Sequence, residues 1–93
     1  MSYSIAFKED AWKEWGKLDN GVRAQLRKKL EERLLNPHVA ASKLSGSKDR
    51  YKIKLRNVGY RLVYEVRDGA LVVVVVAAGK RQRNAVYKVA ATR

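Results

Sequence analysis

From Leu71 to Ala78 the chain is an unbroken apolar run dominated by valine, set between Asp68-Gly69 and Gly79. A β-branched run of this length, bounded by turn formers, reads as a buried strand, and one so uniformly apolar belongs at the centre of its sheet. Even extended to Ala70, the run covers nine residues, against the roughly 20 that a membrane-spanning helix needs. The N-terminus carries no basic-then-apolar leader. The expectation is a soluble cytoplasmic protein with no membrane partner.

Other elements fall into place around this strand. Tyr3, Ile5 and Phe7 alternate with Ser4 and Ala6, the period of a strand with one buried face. Ala11, Trp12, Trp15 and Leu18 then share a stripe, with Glu9 and Asp10 at the positive end of a helix that runs from about Lys8 to Leu18. Asp19-Asn20-Gly21 makes a turn with Asn20 as N-cap, and Val22, Leu26, Leu30 and Leu34 continue a second helix, about Gly21 to Leu35, until Asn36-Pro37. So short a connection makes an antiparallel helical hairpin. Residues 39–49 read as a loop. Tyr51 to Arg56 is a strand, Asn57-Val58-Gly59 a turn, Tyr60 to Arg67 a strand, and Asp68-Gly69 a two-residue hairpin turn. Asn84 is a candidate cap for a short final helix containing Ala85, Val86, Tyr87, Val89 and Ala90. The order β-α-α-β-β-β-α predicts a single α+β domain spanning residues 1–93: a small, mostly antiparallel sheet with the helical hairpin on one face.

The chain has 93 residues, with 21 Lys or Arg against 9 Asp or Glu, for a net charge of +12. Small domains reach solubility with a net charge of about 2 to 8, and a hydrophobic content of 46% is that of a folded domain and not of a basic tail. The charge therefore sits on a folded surface and points to a polyanionic partner. It is also unevenly placed. Residues 1–41 carry 8 basic and 6 acidic side chains, net +2, whereas residues 42–93 carry 13 and 3, net +10. With no Cys and one His, His38, the chain has neither a thiolate nucleophile nor the ligands of a zinc module. No metal and no cofactor are expected.

In the segment Tyr51 to Arg56, Tyr51, Ile53 and Leu55 form an apolar face, and Lys52, Lys54 and Arg56 a cationic one. If Asn57 and Val58 form the turn, Leu55 faces Tyr60, Ile53 faces Leu62 and Lys54 faces Arg61. Lys52, Lys54 and Arg61 then share one face. Like charges directly opposed in a sheet cost about 0.2 to 1 kcal/mol, so three cations kept together point to an anionic ligand. Same-face neighbours lie about 7 Å apart along a strand and about 5 Å apart across strands, which lets Lys and Arg tips converge on one phosphodiester. Arg81 and Arg83 leave the neighbouring strand end and can join them. Tyr87 can stack on a base or bond a ribose hydroxyl.

Plainer readings apply to several residues. A charged strand face is commonly just a solvent face. Trp12 and Trp15 read as helix-to-sheet core, His38 as an ordinary surface residue, and Tyr87 taken alone as helix packing. Asp49, Glu65 and Asp68 read as isolated carboxylates without partners, which argues against a metal-dependent nuclease.

Leu44-Ser45-Gly46, Tyr51 to Arg56, Gly59 to Tyr64 and Gly79 to Arg83 with Val86-Tyr87 together resemble the RelE toxins of bacterial toxin-antitoxin systems. Lys13-Glu14-Trp15 and Val22-Arg23 extend the resemblance into the helices, so that it covers nearly the whole chain. It implies a microbial-ribonuclease-like fold and cleavage of mRNA in the A site of the 70S ribosome. It also implies neutralisation by an acidic, RelB-like antitoxin that wraps the toxin. The catalytic positions it implies are Lys52, Lys54, Arg61, Arg81 and Tyr87. Lys43, Lys48, Arg50, Arg56, Lys80, Arg83 and Lys88 are expected to bind RNA around them.

The implied reaction is attack of a ribose 2′-hydroxyl on the adjacent phosphate, leaving a 2′,3′-cyclic phosphate and a 5′-hydroxyl. No His or Glu stands at the patch, so Lys54 or Tyr87 must act as general base. Clustered cations lower a lysine pKa and favour a tyrosinate, which suits either to the task. Arg61 and Lys52 then stabilise the phosphorane, and Arg81 the leaving oxygen. Two rivals stay open: a ParE-like toxin that poisons gyrase on the same fold, and a non-catalytic RNA-binding domain. Two departures stand out: Gln82 replaces an acidic residue of the family pattern, and only six residues follow Tyr87.

Overall fold

The computed structural model describes residues 2–46, 48–80 and 85–93. The chain runs β1 (Ser4–Phe7), α1 (Glu9–Lys17), α2 (Asn20–Arg33), β2 (Arg50–Leu55), β3 (Tyr60–Arg67), β4 (Val72–Lys80) and α3 (Ala85–Ala91). The four strands form one sheet in the order β1-β4-β3-β2, with β1 parallel to β4 and the other pairs antiparallel. The valine strand is internal, and its apolar uniformity has a direct cause: it is covered on both faces.

The helical hairpin covers one face. Ala11, Trp15, Leu18, Val22, Leu26 and Leu30 pack there against Tyr51, Ile53, Leu55, Leu62, Tyr64, Val73 and Val75. On the other face, Val86 and Ala90 of α3 pack against Val63, Val76 and Ala77. Val76 and Ala77 are consecutive yet face the same way, because the β3–β4 register slips between Val63 and Tyr64. One extra residue in a strand is a bulge, and it turns two neighbours to one side.

Several sequence expectations need correction. Asp19, not Asn20, caps α2, its carboxylate accepting from the Val22 amide at 3.0 Å. With two capping residues adjacent, the one whose side chain reaches the third amide sets the start. The β3–β4 connection is not a two-residue turn. Asp68 to Ala70 form a 3₁₀ turn, and Leu71 takes a left-handed φ of 54°. Residues 39–49 include a 3₁₀ turn, Ala40–Ser42, and a bridge from Lys43 to Tyr51. Trp12 is 59% exposed and touches the fold through Phe7, edge-on at 5.0 Å between ring centroids. Ala11, Trp15 and Leu18, at i, i+4 and i+7, are the inward stripe; Trp12 lies about 100° round the helix from Ala11.

His38 is no ordinary surface residue. Its Nδ1 lies 2.9 Å from the Tyr51 hydroxyl and its Nε2 2.8 Å from Oδ1 of Asp68, which also accepts from the Tyr3 hydroxyl at 2.6 Å. These bonds join the start of β1, the loop after α2, β2 and the β3–β4 turn. Asp68 is therefore not isolated, and the Tyr3 and His38 bonds hold its carboxyl below the usual range. Glu65 is not isolated either. No described helix is long and apolar enough to cross a membrane.

Candidate functional site

The site begins with a tight turn. Gly59 adopts a φ of 69°, which glycine tolerates because it has no Cβ, and its amide donates to the Leu55 carbonyl at 2.8 Å. This closes the hairpin in the expected register, with Leu55 opposite Tyr60, Ile53 opposite Leu62 and Lys54 opposite Arg61. Tyr51, Ile53 and Leu55 are buried under the helical hairpin. Strand alternation then turns Lys52 and Lys54 to the opposite face, where both are half-buried.

Arg61 is only 8% exposed. Its partner on the other side, in β4, is Gly79, which presents no side chain against it. Above it lies α3. The Tyr87 ring centroid is 5.2 Å from Cζ of Arg61 and 6.0 Å from Nζ of Lys52, within reach of an attraction between cation and ring face. The Tyr87 hydroxyl is buried and has no hydrogen-bond partner among the described residues. The cationic face is therefore not a bare solvent face: two of its cations lie beneath an aromatic ring.

A cavity of about 310 Å³ that includes Arg61 is lined by Lys54, Leu55, Arg56, Gly59, Tyr60 and Arg61. A second, of about 540 Å³, opens against α3, between Tyr87, Ala90, Leu44 and Arg50. Two cationic clamps hold α3 in place. Arg50 donates to the Ala90 carbonyl and pairs with its cross-strand neighbour Glu65 at 3.2 Å. Arg93 pairs with Glu14 of α1 at 2.7 Å and donates to the Val76 carbonyl at 3.0 Å. Glu65 also accepts from Arg67 at 2.9 Å; that bond first, then Arg50, holds its carboxyl below the usual range. Contact with Glu14 raises the Arg93 guanidinium further above its already high value.

Of the expected catalytic residues, the fold brings Lys52, Lys54, Arg61 and Tyr87 together, while Arg81 lies outside the described residues. Of the expected RNA-binding residues, Arg56 lines the site, and Lys43, Lys48, Lys80 and Lys88 are exposed. Arg50 serves as a clamp, and Arg83, like the expected helix cap Asn84, lies outside the described residues. Arg33, which sequence reasoning passed over, reaches the edge of β2 and the Lys52 carbonyl. Nothing in the helical periodicity marks it out. Among the described residues, no group of three or more His, Cys, Asp or Glu side chains is placed to hold a metal.

The same architecture occurs in known proteins. A family model described as the ParE toxin of the type II toxin-antitoxin system, parDE, matches residues 5–85. The mRNA interferase toxin RelE of Escherichia coli strain K12 is 54% identical over 93 residues, covering all of this chain and 98% of the relative. A solved structure of a double arginine-to-alanine variant of E. coli toxin RelE in the free state matches with a TM-score of 0.92 at 52% identity, over 100% of this chain and 98% of that one. The crystal structure of the intact E. coli RelBE toxin-antitoxin complex matches with a TM-score of 0.84 at 54% identity, over 88% of this chain and 100% of that one. The chain belongs to the RelE/ParE family of type II toxin-antitoxin toxins, and within it to the RelE toxins.

Proposed function

We propose that this chain is a ribosome-dependent mRNA endoribonuclease that cleaves in the ribosomal A site, halts translation in the cytoplasm, and is neutralised by an acidic RelB-like antitoxin. The observation that carries this reading is the placement of Lys54 directly opposite a nearly buried Arg61, with Lys52 on the same face and Tyr87 lying over two of the three. A gyrase poison has no need of such a phosphate-sized cluster. The relatives named mRNA interferases, and the complex of one of them with its antitoxin, support the same reading.

The chemistry follows from the residues. Lys54, as the neutral amine, takes the proton of a ribose 2′-hydroxyl while that oxygen attacks the adjacent phosphorus. Arg61 and Lys52 face the added negative charge of the phosphorane, where fixed cations act most strongly. The bond to the 5′-oxygen breaks, leaving a 2′,3′-cyclic phosphate and, after protonation from water, a 5′-hydroxyl. Arg81 stabilises that leaving oxygen by charge, since a guanidinium does not give up its proton in proteins. Tyr87 acts through its ring and not as base, because its hydroxyl is buried while its face meets the cations.

Positioning for in-line attack is a large part of the barrier, so free protein is expected to cut RNA slowly and the ribosome to supply the geometry. The deciding experiment adds purified protein to programmed 70S ribosomes and maps mRNA ends by primer extension. Codon-phased cuts in the A site are expected. Intact mRNA together with inhibited gyrase would establish the ParE-like alternative.

A further inference from the structure

One edge of the sheet is β2, and along it runs a groove of about 330 Å³ lined by Arg33, Ala41, Ser42, Lys52, Lys54 and Arg56. Four of these six are cations and none is acidic. The groove shares Lys54 and Arg56 with the cavity that contains Arg61. Those two residues are a common wall, with Arg61 on one side and Arg33 on the other.

Arg33 lies in the last turn of α2. Its NH1 donates to the Tyr64 hydroxyl at 2.8 Å and, more loosely, to the Lys52 carbonyl at 3.5 Å; its NH2 donates to Oγ of Ser42 at 3.2 Å. Tyr64 gives its own proton to the Pro37 carbonyl at 2.8 Å, which leaves its oxygen free to accept from Arg33. All three acceptors are neutral, and no carboxylate pairs with Arg33 among the described residues. A guanidinium has five N–H donors, so two remain. The group is fixed in position without its charge being cancelled, as befits a residue that receives an anion and unlike one in a structural ion pair.

An RNA strand carries a phosphodiester at every nucleotide, so a strand held by one phosphate at Lys54 and Arg61 brings the next within one nucleotide of it. We propose that Arg33 and Ser42 form a second phosphate subsite, which takes the phosphodiester adjacent to the one cleaved. This rests on the ribonuclease reading above and adds the direction of the substrate: the strand crosses the Lys54-Arg56 wall towards Arg33 and Ser42, at the outer edge of β2. Anchoring two successive phosphates fixes the sugar between them, which is the positioning that in-line attack requires.

The test uses the full chain and a 2′-deoxy dinucleotide, which lacks the attacking hydroxyl, with or without a terminal phosphate at its 5′ or its 3′ end, titrated at low salt. In the wild type, a terminal phosphate at one of the two ends tightens binding about tenfold, and that end reports the direction of crossing. In Arg33→Gln this gain falls to within about twofold, while binding of the unphosphorylated dinucleotide is unchanged. Arg33 also braces Tyr64, so if Arg33→Gln does not fold, Ser42→Asp decides in its place: it keeps Arg33, sets a carboxylate in the subsite and removes the same gain. A wild type with no gain at either end, or a gain that survives in the folded variant, overturns the proposal. Cleavage on ribosomes is scored separately. A wild type that never cuts but keeps the phosphate gain overturns the nuclease reading and leaves the subsite standing.

Discussion

Lys54 and Arg61 occupy directly opposed positions in the β2–β3 hairpin, and Arg61 is nearly buried there. Two like charges in that relationship repel across the strands by about 0.2 to 1 kcal/mol. Lys54→Met is expected to shift stability by no more than about 1 kcal/mol. Its cleavage on ribosomes is expected to fall about 10²- to 10⁴-fold, the usual contribution of a general base. Urea unfolding and primer extension on the same preparation check both. Parallel losses of stability and activity would make Lys54 a structural residue.

Tyr87 separates ring from hydroxyl. Tyr87→Phe keeps the face that lies over Arg61 and Lys52, and removes only a buried hydroxyl without a partner among the described residues. It is expected to retain far more single-turnover cleavage than Tyr87→Ala. If Tyr87→Phe is as inactive as Tyr87→Ala, and Lys54→Met retains activity, the hydroxyl is the base.

The two tryptophans of α1 differ in what they hold. Trp15 is buried against the sheet, and Trp15→Ala is expected to cost about 3–5 kcal/mol. Trp12 contributes an edge contact with Phe7, and Trp12→Ala is expected to cost about 0.5–1.5 kcal/mol, the worth of such a pair. Chemical unfolding measures both. Acrylamide is expected to quench the fluorescence of Trp12 far more than that of Trp15.

Glu65 couples stability to pH. Arg67 and Arg50 depress its carboxyl in the folded state. A group depressed on folding contributes stability that is fully present above its unfolded value and is lost as pH falls through the folded one. The wild type is therefore expected to lose stability through the acid side of the carboxylate range, and Glu65→Gln to show a shallower loss there. Thermal melts across acidic pH test this. Equal slopes for the two proteins would mean that the contacts of Glu65 do not differ between folded and unfolded chains.

Much of the site was legible because strands are arithmetic. Once Asn57-Val58-Gly59 is a turn, the facing of Lys54 and Arg61 follows by counting, and side-chain alternation places Lys52 beside them. The valine run likewise announces an internal strand. What escaped was carried by contacts remote in the chain. His38 meets Asp68, 30 positions on, and Arg33 meets Tyr64, 31 positions on; no local pattern records either. Trp12 escaped for another reason. An apolar stripe on a short helix is wider than the surface it covers, and its margin is settled only by how the helix rolls on the sheet. The bulge that turns both Val76 and Ala77 towards α3 is invisible in a sequence where every neighbour is also apolar.

The pairing of β1 with β4 has a consequence for how the molecule is made. Ser4 meets Val72 and Phe7 meets Val75, so β1 is made well before the strand it pairs with. Closing so long a loop costs entropy before any contact is gained, which slows folding. The β2–β3 hairpin forms locally, but the sheet that backs it and the helix that lies over Arg61 must await β4 and α3. Assembly of the cationic site is thereby tied to the synthesis of β4 and α3, and a chain that stops before them lacks the strand that joins β1 to the face bearing Lys54 and Arg61.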